Sequence, residues 1–140
     1  MLKNSGTLII KGIELKRQRK KFAARNKAHA QHRGDWLRDR LCQVCGKRLA
    51  DEVHHIAGRN AAARDSIAEK YEHQKNWLAV CRGCHLIVDK ESPAYTACAA
   101  KLLAGEFDLR YLQDLRPGRR FALSISELEQ ACNNLKEWKS

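Results

Sequence analysis

Four cysteines in two C-x-x-C pairs are the residues of this sequence whose chemistry is easiest to specify. The pairs are Cys42 with Cys45 and Cys81 with Cys84. Four thiolates at this spacing can surround one tetrahedral Zn²⁺ and leave no coordination position open, which makes such a site structural rather than catalytic. The chain has no signal-peptide pattern, and its cysteines therefore favour metal binding over disulfides. We interpret the other two, Cys98 and Cys132, as small buried side chains on helices.

A second group of polar residues lies between and beside the cysteine pairs. His54 and His55 are adjacent, Asn76 comes before a short apolar run, and His85 directly follows the last paired cysteine. Hydrolysis of a phosphodiester needs a base with a pKa near neutrality and a cation that stabilises charge on the phosphate. Adjacent strand residues point to opposite faces, so we expect one of the two neighbouring histidines to be a ligand and the other a base. Asp89 follows His85 by four residues and is a candidate third ligand.

The spacing of apolar residues predicts the elements that position these groups. Strands are predicted over 52–56 and 76–80, a loop with a short helix over 57–75, and a helix from about Cys81 to Lys90. A helix from Trp36 to Leu41 is predicted to lead into the first cysteine pair. The chain would thus fold as two strands and a helix around the cysteines.

Further helices are predicted after residue 91. Ser92 and Pro93 have the sequence of a helix start, and the apolar spacing that follows ends at Gly105. A turn is predicted at 116–118, and a final helix follows it. The cap of this last helix is Ser124 or Ser126, because either serine has a glutamate three residues later.

Basic residues are concentrated in the N-terminal third of the chain. Residues 1–48 contain 14 of the 27 lysines and arginines but only three of the 16 acidic residues, so this part carries the whole formal net charge of +11. Such a segment suits a polyanion, because neutralising phosphates releases condensed counterions whatever the base sequence. A solvated, partly disordered tail is the alternative for a basic run taken alone. The residues predicted to contact nucleic acid are Lys16, Arg17, Arg19, Lys20, Lys21, Arg25 and Lys27.

Length and hydropathy limit the organisation of the chain. At 140 residues it is about one small domain that a metal would help to fold. We divide it into a basic arm over 1–35, a zinc and catalytic core over 36–91, and a helical extension over 92–140 that packs on the core. No apolar run approaches the roughly 20 residues needed to cross a bilayer. We therefore expect a cytoplasmic protein that does not bind membranes, and the sequence leaves its oligomeric state open.

The order of these motifs resembles that of the HNH nucleases. Cys-x-x-Cys, His-His-Ile, Asn-x-Leu and Cys-x-x-Cys-His follow one another within residues 36–90. The resemblance implies an α+β fold with a small treble-clef-like ββα-metal core and flanking helices. In that core, a β-hairpin and a helix hold a catalytic ion.

The resemblance also implies a role for each matching residue. His55 corresponds to the general base that takes a proton from the attacking water, and Asn76 to the residue that holds this base or its loop. His54 and His85 correspond to ligands of the catalytic ion, and many family members carry an aspartate at the position of His54. The ion would be Mg²⁺, Mn²⁺ or Ni²⁺, and imidazole ligands favour the last two.

Two functional hypotheses follow from the sequence. The first is a metal-dependent endonuclease that hydrolyses phosphodiester bonds in DNA. The alternative is a non-catalytic, zinc-containing module that binds nucleic acid through the same four cysteines and basic arm. A second metal ion distinguishes them, because only the nuclease needs one. A zinc-ribbon interaction protein without a nucleic-acid role is disfavoured by the concentrated positive charge. The sequence leaves open the substrate's sequence or shape, the choice between nicking and cutting both strands, and the acceptance of RNA.

Overall fold

The structure, a computed structural model, describes residues 4–57, 68–115 and 123–140. These residues form a mixture of helices and one small sheet, so the predicted α+β class is confirmed. The predicted turn at 116–118 and much of the predicted 57–75 loop lie outside the described residues. The elements are α1 (Asn4–Leu37), β1 (Glu52–His55), α2 (Ala68–Tyr71), a 3₁₀ turn (Gln74–Asn76), β2 (Trp77–Val80), α3 (Arg82–Val88), α4 (Tyr95–Leu103), α5 (Leu109–Asp114) and α6 (Ile125–Lys139).

The sheet consists of β1 and β2 paired antiparallel. His54 lies opposite Leu78, and His55 lies opposite Trp77. All four residues of β2 are buried, which agrees with its unbroken apolar sequence. Because strand side chains alternate between faces, β1 directs its two histidines to opposite sides of the sheet.

The first cysteine pair lies in a tight turn that is attached to β2. The N–H of Cys42 donates to the carbonyl of Arg48 at 2.7 Å and so closes the turn. Gly46 has a φ of 66°, in the left-handed region where glycine is favoured because it has no Cβ. The N–H of Gln43 donates to the carbonyl of Ala79 at 2.8 Å. This hydrogen bond fixes the turn beside the second strand.

The second cysteine pair lies at the start of α3. Cys81 is extended and directly precedes the helix, whereas Cys84 is in its first turn. The carboxylate of Asp51 accepts a hydrogen bond from the backbone N–H of Arg82 at 3.3 Å, which occupies one of the unpaired donors of this helix end. Helix α3 packs on both strands and buries Val88 against the core. The order of turn, hairpin and helix thus brings the two cysteine pairs to one place.

The C-terminal helices bury the remaining apolar side chains. Helix α4 packs on α6 and also contacts β2. Its run of small residues from Ala97 to Ala100 is fully buried and includes Cys98. Cys132 of α6 is also buried, and so both unpaired cysteines occupy the apolar surroundings predicted for them. Helix α5 was not predicted, and Asp108 caps it by accepting a hydrogen bond from the N–H of Tyr111 at 3.0 Å.

The separate helix predicted from Trp36 to Leu41 is wrong. Helix α1 is continuous to Leu37, and the chain then turns through Asp39, which has a φ of 60°. The N–H of Arg40 donates to the carbonyl of Leu37 at 3.0 Å within this turn. A left-handed residue ends a helix, and apolar spacing does not report one.

The starts of the two later helices also differ in detail from the prediction. Helix α4 begins at Tyr95, after a cis peptide bond to Pro93. The carboxylate of Glu91 accepts hydrogen bonds from the N–H of Thr96 at 3.0 Å and from its hydroxyl at 2.6 Å, so a glutamate rather than a serine caps this end. Ser124 is the N-cap residue of α6, but its side chain caps no backbone N–H. The predicted capping box is therefore not formed there.

The chain divides into two compact units, residues 1–35 and 36–140. The first consists of most of α1, and its described side chains are almost all exposed. Within the described ranges, no helix is both long enough and apolar enough to span a lipid bilayer. The second unit contains the sheet, both cysteine pairs and the C-terminal helices.

Candidate functional site

The four cysteines that the sequence assigned to zinc come together in the structure. They are buried, and their Sγ atoms all lie within 4.8 Å of one another. Four thiolates in this arrangement match the ligand set of a closed tetrahedral zinc site. The residues present therefore fit a structural metal ion such as Zn²⁺.

The electrostatics of the cluster also favour a cation. Burial acts to raise the pKa of Cys45, but hydrogen bonds from the backbone N–H groups of Lys47 and Arg48 and contacts with neighbouring thiols lower it to about 7. The pKa of Cys84 is raised by burial first and then by the adjacent thiols, including that of Cys42. One thiolate therefore forms readily while its neighbour resists ionisation. A divalent cation at the centre of the cluster would stabilise all four thiolates together, because it attracts each of their negative charges.

A second group of possible ligands lies where α3 crosses β1. One ligand atom from each of His54, His85 and Asp89 falls within 4.8 Å of the others. The Nδ1 of His54 is 3.9 Å from a carboxylate oxygen of Asp89, and the two histidine rings meet edge to face with centroids 5.2 Å apart. His54 is 7% exposed, whereas the side chain of Asp89 is 54% exposed. The group is thus buried on the side of the sheet, at His54, and exposed to solvent at Asp89.

Two imidazoles and a carboxylate can hold a divalent ion of the first transition row. The strand β1 supplies His54 and helix α3 supplies His85, while Asp89 is the C-cap residue of α3, one turn after His85. The structure therefore brings together all three residues assigned to the catalytic ion, including Asp89, whose assignment rested on spacing alone. We name this group the His54–His85–Asp89 trio.

Glu52 contacts this trio and was not singled out in the sequence. Its Oε2 lies 3.0 Å from Nδ1 of His85, and its Oε1 lies 3.5 Å from Nε of Arg82. The pKa of Glu52 is below its ordinary value, first because of the hydrogen bond to His85 and then because of the nearby positive charges. Glu52 precedes His54 by two residues on β1, so strand alternation already places both on one face. That spacing was a signal the sequence contained.

His55 lies on the opposite face of β1 with different neighbours. Its Nε2 is 2.7 Å from a carboxylate oxygen of Glu72, and its ring stacks on Tyr71 with centroids 4.2 Å apart and planes 5° from parallel. The side chains are 19% exposed for His55 and 10% for Glu72. A histidine held by a carboxylate is oriented and can take up a proton with the charge compensated. Neither neighbour belongs to a pattern that the sequence could reveal, since both lie in a polar segment.

Asn76 acts on the backbone around His55. Its amide nitrogen donates to the carbonyls of Ala57 and Tyr71 at 3.0 and 3.2 Å, and its Oδ1 accepts from the N–H of Ala57 at 2.9 Å. The side chain is fully buried. Asn76 therefore joins the backbone of Ala57 to that of Tyr71, the residue whose ring stacks on His55. These hydrogen bonds hold the backbone of the loop beside His55.

The basic residues assigned to nucleic-acid contact lie on α1. All are exposed except Arg25, which is half-buried. An α-helix turns through 100° per residue, so neighbours such as Lys16, Arg17 and Arg19 point in different directions. Helix α1 thus presents positive charge around its circumference rather than along one stripe. The assigned residues are Lys16, Arg17, Arg19, Lys20, Lys21, Arg25 and Lys27.

The geometry supplies two candidate metal sites and a carboxylate-held histidine within the unit 36–140. Similarity to other proteins adds no further assignment of these residues. Comparisons of the chain with known protein families, with curated proteins and with solved structures found no match.

Proposed function

We propose that this protein is a metal-dependent endonuclease of the HNH type that hydrolyses phosphodiester bonds in DNA. The observation that carries the proposal is that the two adjacent histidines of β1 have different chemical surroundings. His54 faces two further possible metal ligands, and the next residue, His55, faces a carboxylate. Metal-assisted hydrolysis of a phosphodiester needs a bound cation and a base that act on the same phosphate, and adjacent residues of β1 supply a candidate for each.

The arrangement of elements supports a treble-clef-like ββα-metal core. The turn with Cys42 and Cys45, the β1–β2 hairpin and helix α3 follow one another in chain order. A zinc ion bound by the four cysteines would hold the start of α3 against the turn. His85 directly follows Cys84, so the same zinc would fix its backbone. The structural site thereby positions part of the catalytic one.

The trio would hold the catalytic ion. Bound there, a divalent cation stabilises negative charge on the scissile phosphate and on the departing oxygen. His54 contributes a nearly buried imidazole, and Asp89 contributes an exposed carboxylate next to the solvent from which the substrate arrives. Two imidazole ligands favour Mn²⁺ or Ni²⁺ over Mg²⁺.

His55 would take the proton from the attacking water. When Nε2 carries the proton shared with Glu72, the lone pair of Nδ1 is available as the base. After proton transfer, the carboxylate of Glu72 compensates the positive charge of the imidazolium. The stacked ring of Tyr71 restricts rotation of the imidazole, and Asn76 holds the backbone of Tyr71. The four residues thus form one positioned unit.

The positive charge of the N-terminal third supports DNA as the partner of this protein. Helix α1 carries exposed lysines and arginines, and residues 1–48 account for the entire positive excess of the chain. Attraction of this kind is independent of base sequence and falls as salt rises. We therefore propose that α1 increases affinity for DNA without selecting a sequence.

Cleavage of supercoiled plasmid by the purified full chain tests the proposal. With Mn²⁺, Ni²⁺ or Mg²⁺ we expect nicked or linear product, and with a chelator none. His55→Ala should lower the rate by about 10²–10⁴-fold, the usual contribution of a general base. Its zinc content and DNA affinity should equal those of the wild type.

The matched control is His32→Ala, which removes an exposed histidine of α1. This variant should cleave at the wild-type rate. Cleavage at that rate by His55→Ala would contradict the proposed mechanism. A wild-type protein that binds DNA but is inactive with every ion would instead support the non-catalytic binding module.

A further inference from the structure

We infer that Glu52 is a positioning residue for the His54–His85–Asp89 trio, which orients the His85 ring so that Nε2 is the metal-binding nitrogen. The inference rests on the proposed metal site and adds a residue to it. The contact that carries it is the 3.0 Å distance between Oε2 of Glu52 and Nδ1 of His85.

This contact selects one form of the His85 ring. A carboxylate only accepts hydrogen bonds, so the nitrogen facing Glu52 must carry the proton. The lone pair of a neutral ring then lies on Nε2. Glu52 thus prepares His85 as a ligand before any ion binds.

The position of Glu52 argues for an outer role rather than direct ligation. Its carboxylate occupies Nδ1 of His85, whereas one nitrogen of the same ring belongs to the close group with His54 and Asp89. A ring nitrogen that donates to a carboxylate cannot also bind an ion. Glu52 therefore acts through His85.

The backbone and one neighbour keep Glu52 in place. β1 pairs Glu52 with Val80, directly before the cysteine that precedes α3. The second carboxylate oxygen lies 3.5 Å from Nε of Arg82, whose side chain is 85% exposed. An ion pair so exposed is weakened by solvent and salt, and the contact with His85 is the shorter of the two. Histidine orientation is therefore the better account of this carboxylate.

Titration of the zinc-loaded full chain with Ni²⁺ tests the inference without reference to cleavage. The wild type should bind one Ni²⁺ beyond its zinc. Glu52→Gln should bind it about 10–100-fold more weakly, the usual effect of losing such an outer carboxylate. The physical reason is that a glutamine amide can donate to Nδ1 and so move the ring proton to Nε2.

Asp51→Asn is the matched control. It removes the same charge at the adjacent position, but Asp51 contacts the backbone N–H of Arg82 rather than a histidine. This variant should bind Ni²⁺ as the wild type does, and both variants should retain full zinc. Equal weakening in the two variants, or none in Glu52→Gln, would overturn the role of Glu52 and leave the proposed nuclease intact. A wild type that binds no ion beyond zinc would overturn both.

A second measurement needs no variant. Nitrogen-15 NMR of the zinc-loaded wild type should show the neutral His85 ring with its proton on Nδ1. A proton on Nε2 would overturn the inference, even if Glu52→Gln failed to fold.

Discussion

Replacing Asn76 by alanine tests how the structure holds the loop beside His55. The amide makes three hydrogen bonds, two with the N–H and carbonyl of Ala57 and one with the carbonyl of Tyr71. Alanine leaves these three backbone groups without their partner. An unpaired buried polar group costs about 1–3 kcal/mol, so the three together set an upper range of roughly 3–9 kcal/mol.

The lower part of that range is the expected one. The bond to Tyr71 is only partly buried, so water can replace the amide there. We therefore expect the free energy of unfolding to fall by about 3–5 kcal/mol, a large fraction of the roughly 5–15 kcal/mol that stabilises a typical domain. Cleavage by the folded fraction should also decrease, because Tyr71 and Glu72 lose their fixed position beside His55.

Urea unfolding of the zinc-loaded protein, followed by circular dichroism, measures the stability term. Asn133→Ala is the control, because Asn133 is exposed on α6 and its loss should change the free energy of unfolding by less than about 0.5 kcal/mol. Asn76→Asp keeps the acceptor and loses the donors, so it should resemble Asn76→Ala. A loss below about 1 kcal/mol in Asn76→Ala would refute the reasoning, since one unpaired buried group alone should exceed it.

Three further predictions follow from the cysteine cluster, α1 and a buried lysine. Cys84→Ala should lose zinc and much of the fold, and full zinc by metal analysis would contradict the four-cysteine assignment. Removal of residues 1–30 should weaken DNA binding and flatten its salt dependence in anisotropy titrations, while an unchanged slope would exclude α1 as the DNA contact. Burial lowers the pKa of Lys101, against the attraction of Glu106, so the folded state binds its proton less tightly than the unfolded state does. The wild type should therefore gain stability relative to Lys101→Met as pH rises from the folded-state pKa towards the ordinary value of 10.5, and a difference in unfolding free energy that is independent of pH would contradict this.

The four cysteines predicted to bind zinc were the part of the site that the sequence specified best. A C-x-x-C pair closes within one turn of chain, so its two thiols are neighbours wherever the rest of the protein folds. To form a four-cysteine site, the fold then only has to bring the two pairs together. The buried cluster of four thiols confirms that expectation.

Local periodicity also predicted how the histidines divide. Strand alternation separates His54 from His55, and helical spacing brings Asp89 to the same side of α3 as His85. These relations hold within a single element, and the structure retains them. Element ends were predicted less well, because the left-handed Asp39 and the capping Glu91 are single-residue effects that apolar spacing does not report.

The sequence by itself determined which metal-binding and hydrogen-bonding side chains the protein has. It also determined which of them share a strand face or a helix face. Only the tertiary structure decided their partners: Glu52 for His85, Glu72 for His55, and Ala57 for Asn76. Each of these hydrogen bonds joins segments that are distant along the chain. Their formation depends on how separate elements pack, and a hydrogen bond tolerates only a few tenths of an ångström in that packing. Residue spacing places Glu52 on the same strand face as His54, but it does not pair this carboxylate with His85 and gives no sign of Glu72. Those pairings depend on how separate elements pack, so only the tertiary structure decides them.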